Sequence, residues 1–244
     1  MKLSAPIFRL KREAKIASVH DGIALHEAQD RIAKREGFQR WSHLAAHHSR
    51  AKVATELLNA FVPGDLVLLA GQREHGKTGL AFELIAEATK TGRASCHFSL
   101  DESAPAIAAR FEASGVPSGT SLVAYDTSDE ISASYIAATC AEFDPGSLVT
   151  IDYLQVLDQQ RDKPPLAAQV EQLKGFAEST QAIVVVLSQV DRRFDVSEED
   201  FPGLEHIRLP NPIDLAQFSK ACFIHNGEIA THHPQDPLAL ASRA

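Results

Sequence analysis

Eight consecutive residues, Gly71-Gln72-Arg73-Glu74-His75-Gly76-Lys77-Thr78, match the pattern G-x-x-x-x-G-K-S/T at every fixed position. Each fixed residue type has a chemical reason. Glycines let the chain curl until successive backbone N–H groups converge on one anion. A following helix would point the positive end of its dipole at the same anion. A lysine adds a point charge, and a hydroxyl directly after it can take a Mg²⁺ position. The stretch from Gly71 through Gly79 is therefore the candidate phosphate-binding segment, with Lys77 and Thr78 as its charged and metal-ligating members.

A metal held by one hydroxyl needs an acid nearby. Ser147-Leu148-Val149-Thr150-Ile151-Asp152 is apolar almost up to a terminal carboxylate. An aspartate closing a buried strand lies where open α/β sheets gather their ligands, so Asp152 is the second metal-ligand candidate. The same residue could instead cap the next turn, and the run alone does not separate the two.

The elements that must position these groups can be read from hydrophobic patterning. Strand-like runs at Leu66–Ala70, Ser95–Leu100, Leu122–Tyr125, Leu148–Asp152 and Ile183–Ser188 alternate with helical candidates at 78–90, 103–113, 129–142 and 166–180. Such alternation predicts an α/β fold, a mostly parallel sheet flanked by helices. Asn226-Gly227 between apolar runs predicts a closing hairpin. The proline-containing segment 192–212 reads as a long loop, and the tail after His233 as loose. The first fifty residues read as helical, with one helix over Gly22–Glu36 stopped at Gly37, and a short one capped by Ser42 that runs to His48. These expectations divide the chain into a basic helical appendage, 1–52, and a body, 53–244.

The 244 residues are 44% hydrophobic and 23% charged, ordinary for a globular chain with a sizeable core. No apolar run approaches the roughly 20 residues of a membrane span, and no hydrophobic signal core follows the N-terminus, so a cytoplasmic protein is expected. Cys96, Cys140 and Cys222 are too widely spaced for a metal pattern or a disulfide framework. The charge is uneven. Residues 1–52 carry 11 Lys and Arg against 5 Asp and Glu, and the remainder carries 13 against 27. An acidic body argues against a broad DNA footprint there, whereas the basic segment could meet nucleic acid or the body itself.

Four blocks resemble the DnaB-type replicative helicases of the RecA-like ATPase superfamily. Pro63 to Gly71 is similar to that family's approach to the phosphate loop, and Phe98-Ser99-Leu100-Asp101-Glu102-Ser103 to the strand bearing its catalytic acid. Ile151-Asp152-Tyr153-Leu154-Gln155 is similar to its second nucleotide motif, and Leu187-Ser188-Gln189-Val190-Asp191-Arg192 to its glutamine-sensor strand. The blocks occur in the family's order and span residues 60–230. The resemblance implies a RecA-like fold that binds ATP with Mg²⁺ and hydrolyses it. It implies that Lys77 holds the β- and γ-phosphates, that Thr78 and Asp152 hold the metal, that Asp101 is the catalytic acid and that Gln189 senses the γ-phosphate. It also implies work on DNA or a DNA-bound partner, in DNA replication, by a ring or dimer. The chain departs from the family in three ways. Asp101 is one methylene shorter than the family's glutamate, Arg73-Glu74-His75 replaces small residues, and Lys220 is the one weak match to the arginine finger.

Those departures keep a second reading open, a nucleotide-dependent switch or adaptor with little or no helicase activity. A third is a DNA-binding regulator acting through residues 1–52. His43, His47 and His48 lack companion ligands and read as a solvated helix face, as do His232 and His233. Arg192-Arg193 could contact phosphate or simply occupy a surface loop.

Overall fold

The computed structural model describes residues 3–157, 163–197, 199–209 and 211–234. Seven strands form one sheet in the order β3-β2-β4-β5-β1-β6-β7. These are β1 (Leu66–Gly71), β2 (Ser95–Ser99), β3 (Val123–Asp126), β4 (Leu148–Asp152), β5 (Ile183–Gln189), β6 (Lys220–His225) and β7 (Glu228–His232). All pair in parallel except β6 with β7. The central strands are buried on both faces, which is why they read as continuous apolar runs. The edge strands β3 and β7 are half-exposed. Asn226 and Gly227 turn the hairpin between β6 and β7 with φ of 50° and 83°, the left-handed pair that a two-residue hairpin requires.

Alternation along β1 splits the core. Leu66, Leu68 and Ala70 face a layer built on α6 (Ala133–Thr139) and α7 (Leu166–Thr180). Val67 and Leu69 face the layer of α4 (Lys77–Lys90) and α5 (Ala104–Ser114), where Leu80, Phe82, Leu84, Ile107 and Phe111 are buried. Both faces are thus covered, as a parallel sheet demands. The expected strands and the four body helices are present, with α6 shorter than expected because Ser132 caps it on the Tyr135 N–H.

The N-terminal helices depart from expectation. Helix α1 spans Ile7–Asp21 and α2 spans Leu25–Arg35. Gly22, with φ of 65°, ends α1 instead of opening α2. Helix α3 begins at Trp41 and runs to Ala60, so Ser42 lies within it and it continues across residues 52 and 53. Its first half shares a small core with α1 and α2 through Leu10, Ala14, Ile32 and Leu44. Its second half buries Ala54, Leu57 and Leu58 in the main core beside α4. Because the two halves face different partners, α3 shows no single apolar stripe, which hid its length.

Among the described residues of 192–212 the path is mostly irregular, with short 3₁₀ turns at Arg192–Val196 and Leu204–His206. It is anchored to the sheet by an antiparallel bridge from Val190 to Ile207. The tail after Pro234 lies outside the described residues. Among the described residues, no helix is long and apolar enough to cross a membrane.

Candidate functional site

The C-terminal ends of β1, β4 and β5 bring the sequence candidates together. Gly71 ends β1 and the loop bends into α4 at Gly76, whose φ of 91° is a conformation that glycine adopts freely. Gly71 itself is held by space, since a Cβ there would lie 3.0 Å from the Ile224 carbonyl oxygen and 3.3 Å from Lys77 Cγ. Among the described residues no side chain caps α4, so its first N–H groups remain directed at the loop. Lys77 Nζ folds back and donates to the carbonyl oxygens of Gly71 and Gln72, each at 2.8 Å. Burial pushes the Lys77 pKa down, and the nearby Asp152 pulls it up. The loop thus has an ammonium folded against its own carbonyls beside an uncapped helix N-terminus.

Thr78 Oγ1 donates to Asp152 Oδ2 at 2.8 Å, bridging the start of α4 to the end of β4. Burial raises the Asp152 pKa, Thr78 lowers it, and the negative charges of Glu102 and Asp101 raise it further. A carboxylate whose charge is disfavoured by dry surroundings and neighbouring acids is stabilised when a cation arrives. Thr78 and Asp152 could therefore hold a divalent ion between them.

Asp101 and Glu102 both lie beyond the end of β2, in a bend, so strand alternation does not send them to opposite faces. Asp101 is exposed. Glu102 is half-buried, pairs with Arg110 Nε of α5 at 2.8 Å, and acts on Asp152 more strongly than Asp101 does.

Gln189 ends β5 opposite Gly71 in register. Its side-chain oxygen accepts from Arg208 Nη1 at 3.3 Å, and its carbonyl accepts from the Arg208 N–H at 2.8 Å. Gln155, buried after β4, donates to Ser188 Oγ at 3.0 Å and to the Arg208 carbonyl at 2.6 Å. Patterning gave no hint of Arg208, because it arrives from an irregular loop. Together Gln72, Arg73, Gln189, Arg192 and Arg208 line a cavity of about 590 Å³ above β1 and β5.

Glu74 adopts a φ of 66° and stays exposed, away from the loop centre. His75 Nδ1 lies 3.0 Å from the Arg73 carbonyl, and its ring stacks on His225 at 5.8 Å. Gln72 contacts Asp195. Gly79 packs against Arg50 of α3.

Lys220, Arg193 and His47 are committed elsewhere. Lys220 pairs with the buried Asp65 at the opposite end of the strands and is committed within its own chain. Arg193 pairs with Asp191, whereas Arg192 is exposed at the cavity above β5. His47 is not solvated but packs between Phe38 and Glu83 of α4. The three cysteines are free and buried.

No protein-family model and no curated protein matches the sequence. Solved structures match its fold. A DnaB-like replicative helicase, described with its interactions with primase, superimposes with a TM-score of 0.57 at 18% identity. The match covers 67% of this chain and 48% of that one, so the chain spans about half of that helicase's length. A second solved structure, an isolated ATPase domain, gives a TM-score of 0.54 at 17% identity, over 68% of this chain and 71% of the other. The body therefore has the RecA-like fold of DnaB-like helicase ATPase domains.

Proposed function

We propose that this chain binds Mg-ATP in the Gly71–Gly79 loop and hydrolyses it slowly, acting on DNA or on a DNA-bound partner. The observation that carries the reading is the Thr78–Asp152 hydrogen bond beside a lysine folded over an uncapped helix N-terminus. In this reading Lys77 neutralises the β- and γ-phosphates, and the Thr78 hydroxyl and the Asp152 carboxylate hold Mg²⁺. The ion supplies charge neutralisation for phosphoryl transfer when bound. In this reading Gln189, tied to Arg208, would sense the terminal phosphate and pass its presence to the loop that carries Arg208.

For the water-positioning acid, the match of motifs favours Asp101 and the geometry favours Glu102. Glu102 is fixed by Arg110 and exerts the larger field on Asp152. Calorimetric titration with Mg-ATP tests the binding step. Wild type should bind and Lys77→Ala should not; equal binding, or none by either, sinks the proposal.

A nucleotide-dependent switch, a dimer or ring whose assembly or partner changes with ATP, is the second reading. It is favoured by the commitment of Lys220 to Asp65, which removes the sequence's candidate for a finger reaching a neighbouring subunit. Strand displacement driven by ATP would exclude the switch, and ATP-dependent change in particle size without displacement would support it. In both readings we propose that the protein works in the cytoplasm.

A further inference from the structure

We propose that the cavity between α3 and the β6–β7 hairpin receives the nucleoside end of the nucleotide, so that the N-terminal helical segment forms one wall of the nucleotide site. The inference rests on reading Gly71–Thr78 as a triphosphate cradle.

Direction comes from the sheet order. The Thr78–Asp152 pair marks the metal end, and β4 lies two strands to one side of β1. The hairpin lies on the other side of β1. If Thr78 and Asp152 hold the metal that serves the outer phosphates, the nucleoside would leave the loop away from Asp152. That path leads to β6 and β7.

A cavity is waiting there. It has a volume of about 420 Å³ and shares the loop residue Gly76 with the cradle. Its apolar walls are Ala46 and Val53 from α3, Leu80 from α4, and Ile224 and Ile229 from the hairpin. Sites for small molecules are clefts of roughly this size, mostly apolar with a few placed polar groups, which suits a planar heteroaromatic base.

Its polar lining is Ser49, Arg50, Glu74 and His75, and Arg50 is the cation that reaches the junction with the cradle. A Cβ on Gly79 would lie 3.3 Å from Arg50 Nε, and one on Gly76 would lie 3.8 Å from Arg50 Cδ. The guanidinium therefore lies across the first turn of α4. Arg50 is felt by the Glu83 carboxyl and shares the cavity lining with Glu74, but its Nε is buried without a hydrogen-bond partner among the described residues, and the positive end of the helix dipole disfavours a cation there. An anion entering between the loop and α3, such as the phosphate next to the ribose, relieves both. Glycine at 76 and 79 leaves room for this side chain, so the helix and the loop fit one another at the point where a nucleotide would bend from phosphate to sugar.

The test compares two probes, Mg-ATP and Mg-tripolyphosphate, by calorimetry on the full chain. Wild type should bind ATP at least tenfold more tightly than tripolyphosphate. Filling the cavity from α3 with Ala46→Trp, or from the hairpin with Ile229→Trp, should weaken ATP at least tenfold and leave tripolyphosphate within twofold. The unchanged tripolyphosphate binding also certifies that each variant is folded. Unchanged ATP affinity in both variants, equal loss of both probes, or a wild type that binds the two probes equally would overturn the inference and leave the cradle standing. A wild type that binds neither probe would overturn the cradle itself.

Discussion

Replacing Glu83 by glutamine should stabilise the protein at alkaline pH. Glu83 lies on α4 facing α3, is 3% exposed, and places Oε1 3.2 Å from His47 Nε2. Burial pushes its pKa up to about 7 from the usual 4.5; Arg50 and Lys90 oppose the rise and Glu87 adds to it. Burial likewise pushes His47 down to about 4, with Arg50 adding to the effect. The unfolded chain ionises Glu83 from about pH 4.5, whereas the native chain holds the proton until about pH 7. The native state therefore binds more protons across that window, and this group's contribution to stability falls as pH rises through it. His47 has the opposite sign. Between about pH 4 and 6.5 the unfolded chain takes up a proton that the native chain refuses, so stability rises with pH there. The two slopes offset one another where they overlap, and the loss due to Glu83 dominates above it. The pKa difference corresponds to roughly 3 kcal/mol, which solvent at the rim of the interface reduces to about 2 kcal/mol at pH 8. Glutamine keeps an amide near His47 and removes the charge. Urea unfolding of wild type and Glu83→Gln at pH 5, 6.5 and 8 should show a gain for the variant that grows with pH to about 2 kcal/mol. A gain independent of pH, or a loss at pH 8, would refute the argument that an ionised carboxylate is carried in a dry interface.

Gly71→Ala drives a methyl group against the Ile224 carbonyl and Lys77 Cγ, and it should weaken Mg-ATP binding at least tenfold by calorimetry; wild-type affinity would show that the loop tolerates a wider path. Phe82 is 1% exposed and its ring packs edge-on to Phe111 at 4.8 Å. Phe82→Ala should therefore cost about 3–5 kcal/mol and lower the melting temperature by roughly 10 °C, and a shift within error would mean the core refills. Turnover under saturating Mg-ATP should fall at least a hundredfold in Glu102→Gln or in Asp101→Asn, with binding spared, and the variant that loses turnover identifies the acid. If both retain it, neither positions the water.

Much of the body could be read before any coordinates. The β1 run, buried on both faces, and the helical run after Thr78 enclose a motif whose residue types are dictated by phosphate chemistry. Asp152 could be singled out because an apolar strand that ends in an acid is a local pattern. The left-handed turn at Asn226-Gly227 was legible for the same reason. Helix α3 was not. Its residues face α1 and α2 in one half and α4 in the other, so no single periodicity runs along it. His47 misled for a related reason, since a histidine looks solvated until the helix that covers it is placed.

The sequence alone marked the candidate cradle, because glycines, lysine and threonine at fixed spacing would act through backbone and side chains only a few residues apart. The succession of strands and helices around it, and hence the α/β class of the body, followed from hydrophobic alternation. Tertiary structure decided what surrounds the cradle. It brought Asp152 from 74 residues away to the Thr78 hydroxyl, tied Gln189 to Arg208, committed Lys220 to Asp65 and laid Arg50 across Gly76 and Gly79. These pairings depend on which surfaces pack together. Packing is a property of the whole chain's buried area and shape, so no local spacing could have announced them.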